Sequence, residues 1–283
     1  MVDNNIILNR LFTGNMFTDL IRGVDNPTYG MIVKRYLDDP ADVDNGTLIS
    51  EIYNFMSREY RNEYIFQNTL LNKLLLGKHN LNTTTALTQI YIGGSKADFI
   101  LINGKAVVYE IKTELDTFDR LDAQLKDYSR AFDHVCVVTS ENQHERALDM
   151  LSETSVGIYV LTRRNTISTK LRKEPTANSS NLDHTTIFKV LRKHEYENIL
   201  LHHCGNLPTV PQVFYFNECL RIFSQIPILE AYDLALKQLK KRNRILNEEF
   251  EKVPYELKSL LYFSKHLKTN WTAVNKFLNR KYG

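Results

Sequence analysis

The stretch Ser95-Lys96-Ala97-Asp98-Phe99-Ile100-Leu101-Ile102-Asn103-Gly104-Lys105-Ala106-Val107-Val108-Tyr109-Glu110-Ile111-Lys112 constrains this chain more than any other. Two β-branched and aromatic runs flank Asn103-Gly104, a strong short-range hairpin signal. Both faces of each run are largely apolar, as in central strands covered on each side. Asp98, Glu110 and Lys112 interrupt that pattern, and an unpaired charge in such a place costs several kcal/mol.

Register decides what these charges can do. With a two-residue loop, Ile102 faces Lys105, Asp98 lies opposite Tyr109, and Glu110 points to the other side of the sheet. With a three-residue loop over Asn103-Gly104-Lys105, Ile102 faces Ala106 and Asp98 lies across from Glu110. The second register groups Asp98, Ile100, Ile102, Val108, Glu110 and Lys112 on one face, and Ala97, Phe99, Leu101, Val107, Tyr109 and Ile111 on the other. The sequence leaves both registers open.

Under the second register the chemistry is specific. Two carboxylates on adjacent strands can bind Mg²⁺ through oxygen, with water and phosphate oxygens in the remaining positions. Lys112 can then orient an attacking water and offset charge building on a phosphate. The expectation is a metal and phosphate site in which Asp98 and Glu110 are ligands and Lys112 is catalytic; an internal salt bridge is the competing reading. A helix expected over Thr117–Phe132 faces the sheet with Leu121, Leu125, Tyr128 and Phe132, and Gln124 borders that stripe one turn before Tyr128. Lys96 and Lys126 flank the site as candidate phosphate contacts, although Lys126 reads better as a solvated helix position.

At these residues the chain resembles the PD-(D/E)XK nuclease superfamily, in its RecB-like branch. That pattern is an acid on the second core strand, Glu-x-Lys on the third and Gln-x-x-x-Tyr on the following helix, here Asp98, Glu110-Ile111-Lys112 and Gln124-Leu125-Lys126-Asp127-Tyr128. Ala97 stands where the family name records a proline, and the cysteine cluster of the iron-sulfur members is absent. The resemblance covers about residues 55–162. It implies an α/β fold with a restriction-endonuclease-like αβββαβ core and Mg²⁺- or Mn²⁺-dependent cleavage of nucleic acid, with DNA the expected substrate. It also implies that Gln124 and Tyr128 contact substrate or brace the site, and that the preceding helix adds an acid. Glu63 is the candidate, because it shares a stripe with Gln67, Leu70 and Leu74; Glu59 and Glu51 are alternatives. Glu114 is a further acid within reach of the same strand end.

Around that core the expected organisation is an N-terminal helical region (residues 1–54), the core (55–162), a basic connector (163–181) and a C-terminal helical region (182–283). The clearest helix is expected over Ser57–Leu76, with a stop at Gly77-Lys78-His79-Asn80. Strands are expected over Leu87–Ile92, Ala97–Ile102, Ala106–Lys112, His134–Thr139 and Val156–Thr162. Asp116 or Thr117 is the expected cap of the helix that follows the catalytic strand. Near the C-terminus, Tyr255–His266 and Thr272–Arg280 around Lys268-Thr269-Asn270 read either as a helix-turn-helix, with Trp271, Lys276, Arg280 and Lys281 near phosphates, or as a small bundle packed on the core or a partner.

Composition excludes several other classes. A hydrophobic share of 43% and a charged share of 24% are those of a folding globular chain. A net charge of +3 is too small to argue nucleic-acid binding by itself. Cys136, Cys204 and Cys219 are too widely spaced for a disulfide framework or a zinc ribbon. There is no P-loop and no nucleophile elbow. With no signal peptide or apolar span, a cytoplasmic protein is expected, with nucleic acid as its partner and a protein partner or second copy possible in addition.

Overall fold

The computed structural model describes residues 4–77, 83–242, 248–264 and 270–283. Gly104, at φ +75°, closes the hairpin, and its left-handed backbone is what the wider loop requires. Asn103 pairs with Lys105, Ile102 with Ala106, and Phe99 with Tyr109. The three-residue register is therefore the one adopted.

The hairpin strands β4 (Phe99–Asn103) and β5 (Lys105–Lys112) lie at the heart of a five-stranded sheet with β1 (Thr85–Leu87), β6 (His134–Ser140) and β7 (Gly157–Leu161). The order is β1-β4-β5-β6-β7, antiparallel from β1 to β5 and parallel from β5 to β7. This is the mixed α/β sheet expected from a hairpin followed by strand-helix alternation.

Two hydrophobic cores sandwich the sheet. One joins Phe99, Leu101, Val107, Tyr109 and Ile111 to the N-terminal helices, among them α1 (Gly14–Ile21) and α2 (Pro27–Tyr36), and to residues between Phe250 and Leu278. The other joins Ile100, Ile102, Val108, Val135 and Val137 to α5 (Leu121–Ser129), α6 (His144–Leu151) and the helices between Ile187 and Leu239. Helix α3 (Asn45–Glu59) runs through the expected boundary at residues 54 and 55.

Several elements differ from expectation, each for a local reason. The run Leu87–Ile92 is two strands, because Gln89 adopts φ +56° and turns the chain. Thr85–Leu87 joins the main sheet, while β2 (Ile90–Ile92) pairs with β3 (Ser95–Ala97) in a separate hairpin. A bend at Asp98 divides β3 from β4, so Ala97 packs with Ile100 rather than on the Phe99 face. The helix expected from Ser57 starts instead at Glu63. Tyr60 leaves helical geometry to end α3, and the Asn62 side chain accepts from the Ile65 amide to begin α4 (Glu63–Leu70). The expected stop residues Lys78, His79 and Asn80 lie outside the described residues.

The connector is not a free linker. Lys173 exchanges backbone hydrogen bonds with Ile158, and Leu161 bridges Ile167, so the segment shields the β7 edge. Lys173 Nζ also donates to the carbonyls of Leu151, Thr154 and Val156, at and beyond the end of α6. At the C-terminus, Lys258–Phe263 and Trp271–Leu278 are helical and bury Leu260, Leu261, Tyr262, Val274, Phe277 and Leu278 in the first core. This is the packed-bundle reading; His266, Lys268 and Thr269 lie outside the described residues. Residues 280–282 are pinned to the start of α3, where Asn45 Nδ2 donates to Arg280 O at 2.6 Å and Tyr282 N to Val43 O at 2.9 Å.

Candidate functional site

Strand β5 is buried along its length after Lys105, and Glu110 and Lys112 retain only 2% and 6% exposure. Asp98 lies one step beyond the last β4–β5 pair, Phe99 with Tyr109, and lines the same cleft as Glu110. The bend at Asp98 is held from the other strand, since its Oδ2 accepts the Ile111 amide at 2.9 Å, and its carbonyl receives Gln67 Nε2 at 3.5 Å.

Glu110 is the hub. Its Oε1 lies 3.0 Å from Lys112 Nζ and accepts Gln124 Nε2 at 2.5 Å, while its Oε2 accepts Tyr128 OH at 2.7 Å. Lys112 Nζ also donates to Gln124 Oε1 at 2.8 Å. The spacing of four between Gln124 and Tyr128 stacks both on the sheet side of α5, so two polar tips meet one carboxylate. Burial, and then the Glu110 charge, push the Tyr128 phenol upward, which keeps it a proton donor.

Asp98, Glu110, Lys112 and Gln124 floor a cleft of about 770 Å³ lined also by Glu63, Gln89, Thr113, Asp116 and Arg120. Asp98 has its pKa raised to about 8, first by desolvation and then by the charges of Glu110 and Glu63. Glu63 stands at the solvent-exposed rim, where Gln89 Nε2 donates to it at 3.2 Å. Its pKa is raised by desolvation from the cleft walls and then by Asp116 and Glu110, with Lys96 and Lys112 opposing. The cleft thus holds more negative charge than its cations balance.

The other expected residues separate from this group. Glu51 and Glu59 are exposed on α3 and do not line the cleft. Glu114 turns to Arg61, 2.9 Å from Nη1. Lys126 is exposed outside the cleft. Lys96 has its backbone carbonyl 3.1 Å from Tyr128 OH, while its side chain lies out on the β2–β3 hairpin. Asp116 does not cap α5: its Oδ2 accepts from the Thr113 amide and hydroxyl, closing a turn, and Thr117 donates to Asp119. The helix begins after Arg120, whose side chain makes no capping bond and lines the cleft.

Among the lining residues that sequence reasoning did not place in the site are Arg120, Gln67 and Ser259. Arg120 carried a signal, a cation at the mouth of a helix whose next turn bears Gln124. Gln67 was noticed only as part of a stripe. Ser259, whose hydroxyl donates to Gln67 Oε1 at 2.9 Å, reaches the cleft through tertiary packing that no local pattern reports.

The family described as bacteriophage P4 protein cII matches residues 56–263, the greater part of the chain. The chain belongs to that family. The matched span includes every candidate site residue from Glu63 to Tyr128 and the Ser259 wall of the cleft. No curated protein matches the chain. A solved structure of a protein of unknown function from Silicibacter pomeroyi is 12% identical with a TM-score of 0.27, over 46% of this chain and 86% of that one, a likeness too slight to bear on fold or function. Among the described residues no helix is long and apolar enough to cross a membrane.

Proposed function

We propose that this protein is a metal-dependent nuclease, hydrolysing phosphodiester bonds of nucleic acid, with DNA preferred, on a restriction-endonuclease-like core of the PD-(D/E)XK kind. The observation that carries the reading is the convergence on one sheet face of Asp98, Glu110 and Lys112, with Gln124 and Tyr128 both bonded to Glu110.

The donor set suits Mg²⁺ or Mn²⁺. Among the described residues no three His, Cys, Asp or Glu side chains form a ready-made cage. Mg²⁺ is commonly held by one or two carboxylates and otherwise by water and phosphate oxygens. Asp98 and Glu110 supply such a pair, Glu63 stands at the rim, and the Asp98 carboxyl is elevated first by burial and then by repulsion from Glu110 and Glu63, which a cation would relieve. A bound divalent cation would make its water more acidic and neutralise charge on the phosphate. The protein's own groups do the rest. Gln124 and Tyr128 fix the Glu110 carboxylate, Lys112 presents an ammonium to the reacting phosphate, and Arg120 offers positive charge in the cleft, with Lys96 out on the adjacent hairpin.

Purified protein with Mg²⁺ or Mn²⁺ is expected to cut at least one form of DNA or RNA, and Glu110→Ala or Lys112→Ala to abolish cutting. Cleavage unchanged in both variants would remove the site. A second reading, a nuclease-like binding or assembly subunit without catalysis, draws on the saturation of both Glu110 oxygens by protein donors. It predicts no response to metal titration, with salt-sensitive DNA binding preserved in Glu110→Ala.

A further inference from the structure

The hairpin β2–β3 stands apart from the main sheet and carries a side chain that folding does not explain. Strand β2 alternates: Ile92 is buried in the second core, whereas Tyr91 is 73% exposed, more so than the exposed phenylalanines Phe214 and Phe216. Directly across the hairpin is Lys96, whose Nζ lies 5.8 Å from the Tyr91 ring centroid. An aromatic face with a cation beside it gains little stability at such exposure. It is well suited to a nucleotide, whose base stacks on the ring while its phosphate meets the ammonium.

We propose that the β2–β3 hairpin is a grip for unpaired nucleotides, with Tyr91 as the stacking platform and Lys96 as the phosphate contact, directing a single strand into the neighbouring carboxylate cleft. This rests on the nuclease reading for what happens in the cleft, but the grip itself concerns binding alone.

Three observations tie the hairpin to the site and hold it still. Lys96 is two residues before Asp98, roughly 7 Å of extended chain, so one strand can touch both. The Lys96 carbonyl and Glu110 Oε2 both lie within hydrogen-bond distance of Tyr128 OH, and Gln89, just before β2, bonds Glu63 at the cleft rim. The turn is clamped from α5, where Asp127 Oδ2 accepts the Gly94 amide at 3.0 Å and the Ser95 hydroxyl at 2.6 Å. Gly93 has φ +61°, and a Cβ there would lie 2.4 Å from Asp127 Oδ1. A platform held this firmly loses little freedom on binding. Duplex bases are stacked internally and expose no face to it unless flipped out, so the grip selects unpaired segments.

The test uses the full chain in EDTA, which separates binding from cleavage, with fluorescently labelled oligodeoxythymidylate and a blunt duplex as probes. Tyr91→Ala is expected to weaken single-strand binding about fivefold to a hundredfold, and Tyr91→Phe to stay within about twofold of wild type. Duplex binding should be unchanged by either. Lys96→Gln should reduce the salt dependence of single-strand binding by about one phosphate contact. Unaltered single-strand binding in Tyr91→Ala, equal losses on single strand and duplex, or no binding of the oligonucleotide by wild type would each overturn the grip. Tyr91-dependent binding by a wild-type protein that cuts nothing in Mg²⁺ or Mn²⁺ would keep the grip and sink the nuclease reading; cutting without Tyr91-dependent binding would do the reverse.

Discussion

Replacing Lys112 with Met keeps most of the side-chain volume and removes the cation beside Glu110. The variant leaves a carboxylate that is 2% exposed with only Gln124 Nε2 and Tyr128 OH as donors, and it also strips Gln124 Oε1 of its partner. Breaking a buried pair from one side costs about 3 to 5 kcal/mol. The two remaining donors hold the cost near the lower end, about 3 kcal/mol, or on the order of 10 °C in Tm for a chain of this size. Glu110→Gln should cost less, because the Glu110 charge is also a source of the repulsion felt by Asp98 and Glu63. The double variant replaces an ion pair with a neutral pair, and its loss should fall short of the summed single losses by about 2 to 3 kcal/mol. Urea denaturation in EDTA measures all four proteins. Additivity within about 0.5 kcal/mol would mean that water, rather than the partner, solvates each charge, and the enclosed site described above would be refuted.

Asp98 gives a pH signature. Its carboxyl is raised from 3.8 to about 8, so the folded protein keeps a proton that the unfolded chain releases across that window, and metal-free stability should fall as pH rises from 4 to 8. Asp98→Asn should flatten that slope and melt higher than wild type at pH 8 in EDTA; a parallel slope in both proteins would contradict the assignment. Mg²⁺, which needs the ionised form, should stabilise wild type more at pH 8 than at pH 6 and have little effect on Asp98→Asn in thermal melts. Tyr128→Phe removes the donor to Glu110 Oε2 and should cost about 1.5 to 3 kcal/mol in chemical denaturation while lowering nuclease turnover; full stability would show that water replaces the phenol. Gly93→Ala should destabilise by at least about 1 kcal/mol from its left-handed backbone, with part of the clash relieved in Gly93→Ala/Asp127→Ala; a silent Gly93→Ala in melts would count against a rigid hairpin.

What could be read in the sequence was what repeats locally. Strand alternation and the Asn103-Gly104 signal reduced the hairpin to two registers, and helical spacing put Gln124 and Tyr128 on one side of α5. The choice between registers needed the left-handed Gly104, which Asn-Gly permits in either loop. The split at Gln89 was hidden because a non-glycine residue takes the positive φ, and the late start of α5 because the Asp116 carboxylate closes a turn onto Thr113 instead of capping. The true start of α4 is masked in the sequence because Ser57–Glu59 belong to a neighbouring helix with compatible spacing. Gln67, Ser259 and the strand-like path of the connector arise from packing between distant segments, on which periodicity is silent.

The pinning of residues 280–282 to the start of α3 bears on how the molecule comes into being. The cleft draws one wall from residues 9–14, its floor from β5, and another wall from residues 259–264. The first core lacks Val274, Phe277 and Leu278 until the chain has been made past residue 278. Contacts spanning such separations form slowly. A chain made or clipped short of Val274 would then possess Asp98, Glu110 and Lys112 without the enclosure that suppresses solvent around them, so any activity of the cleft should appear only once residues 274–282 are in place.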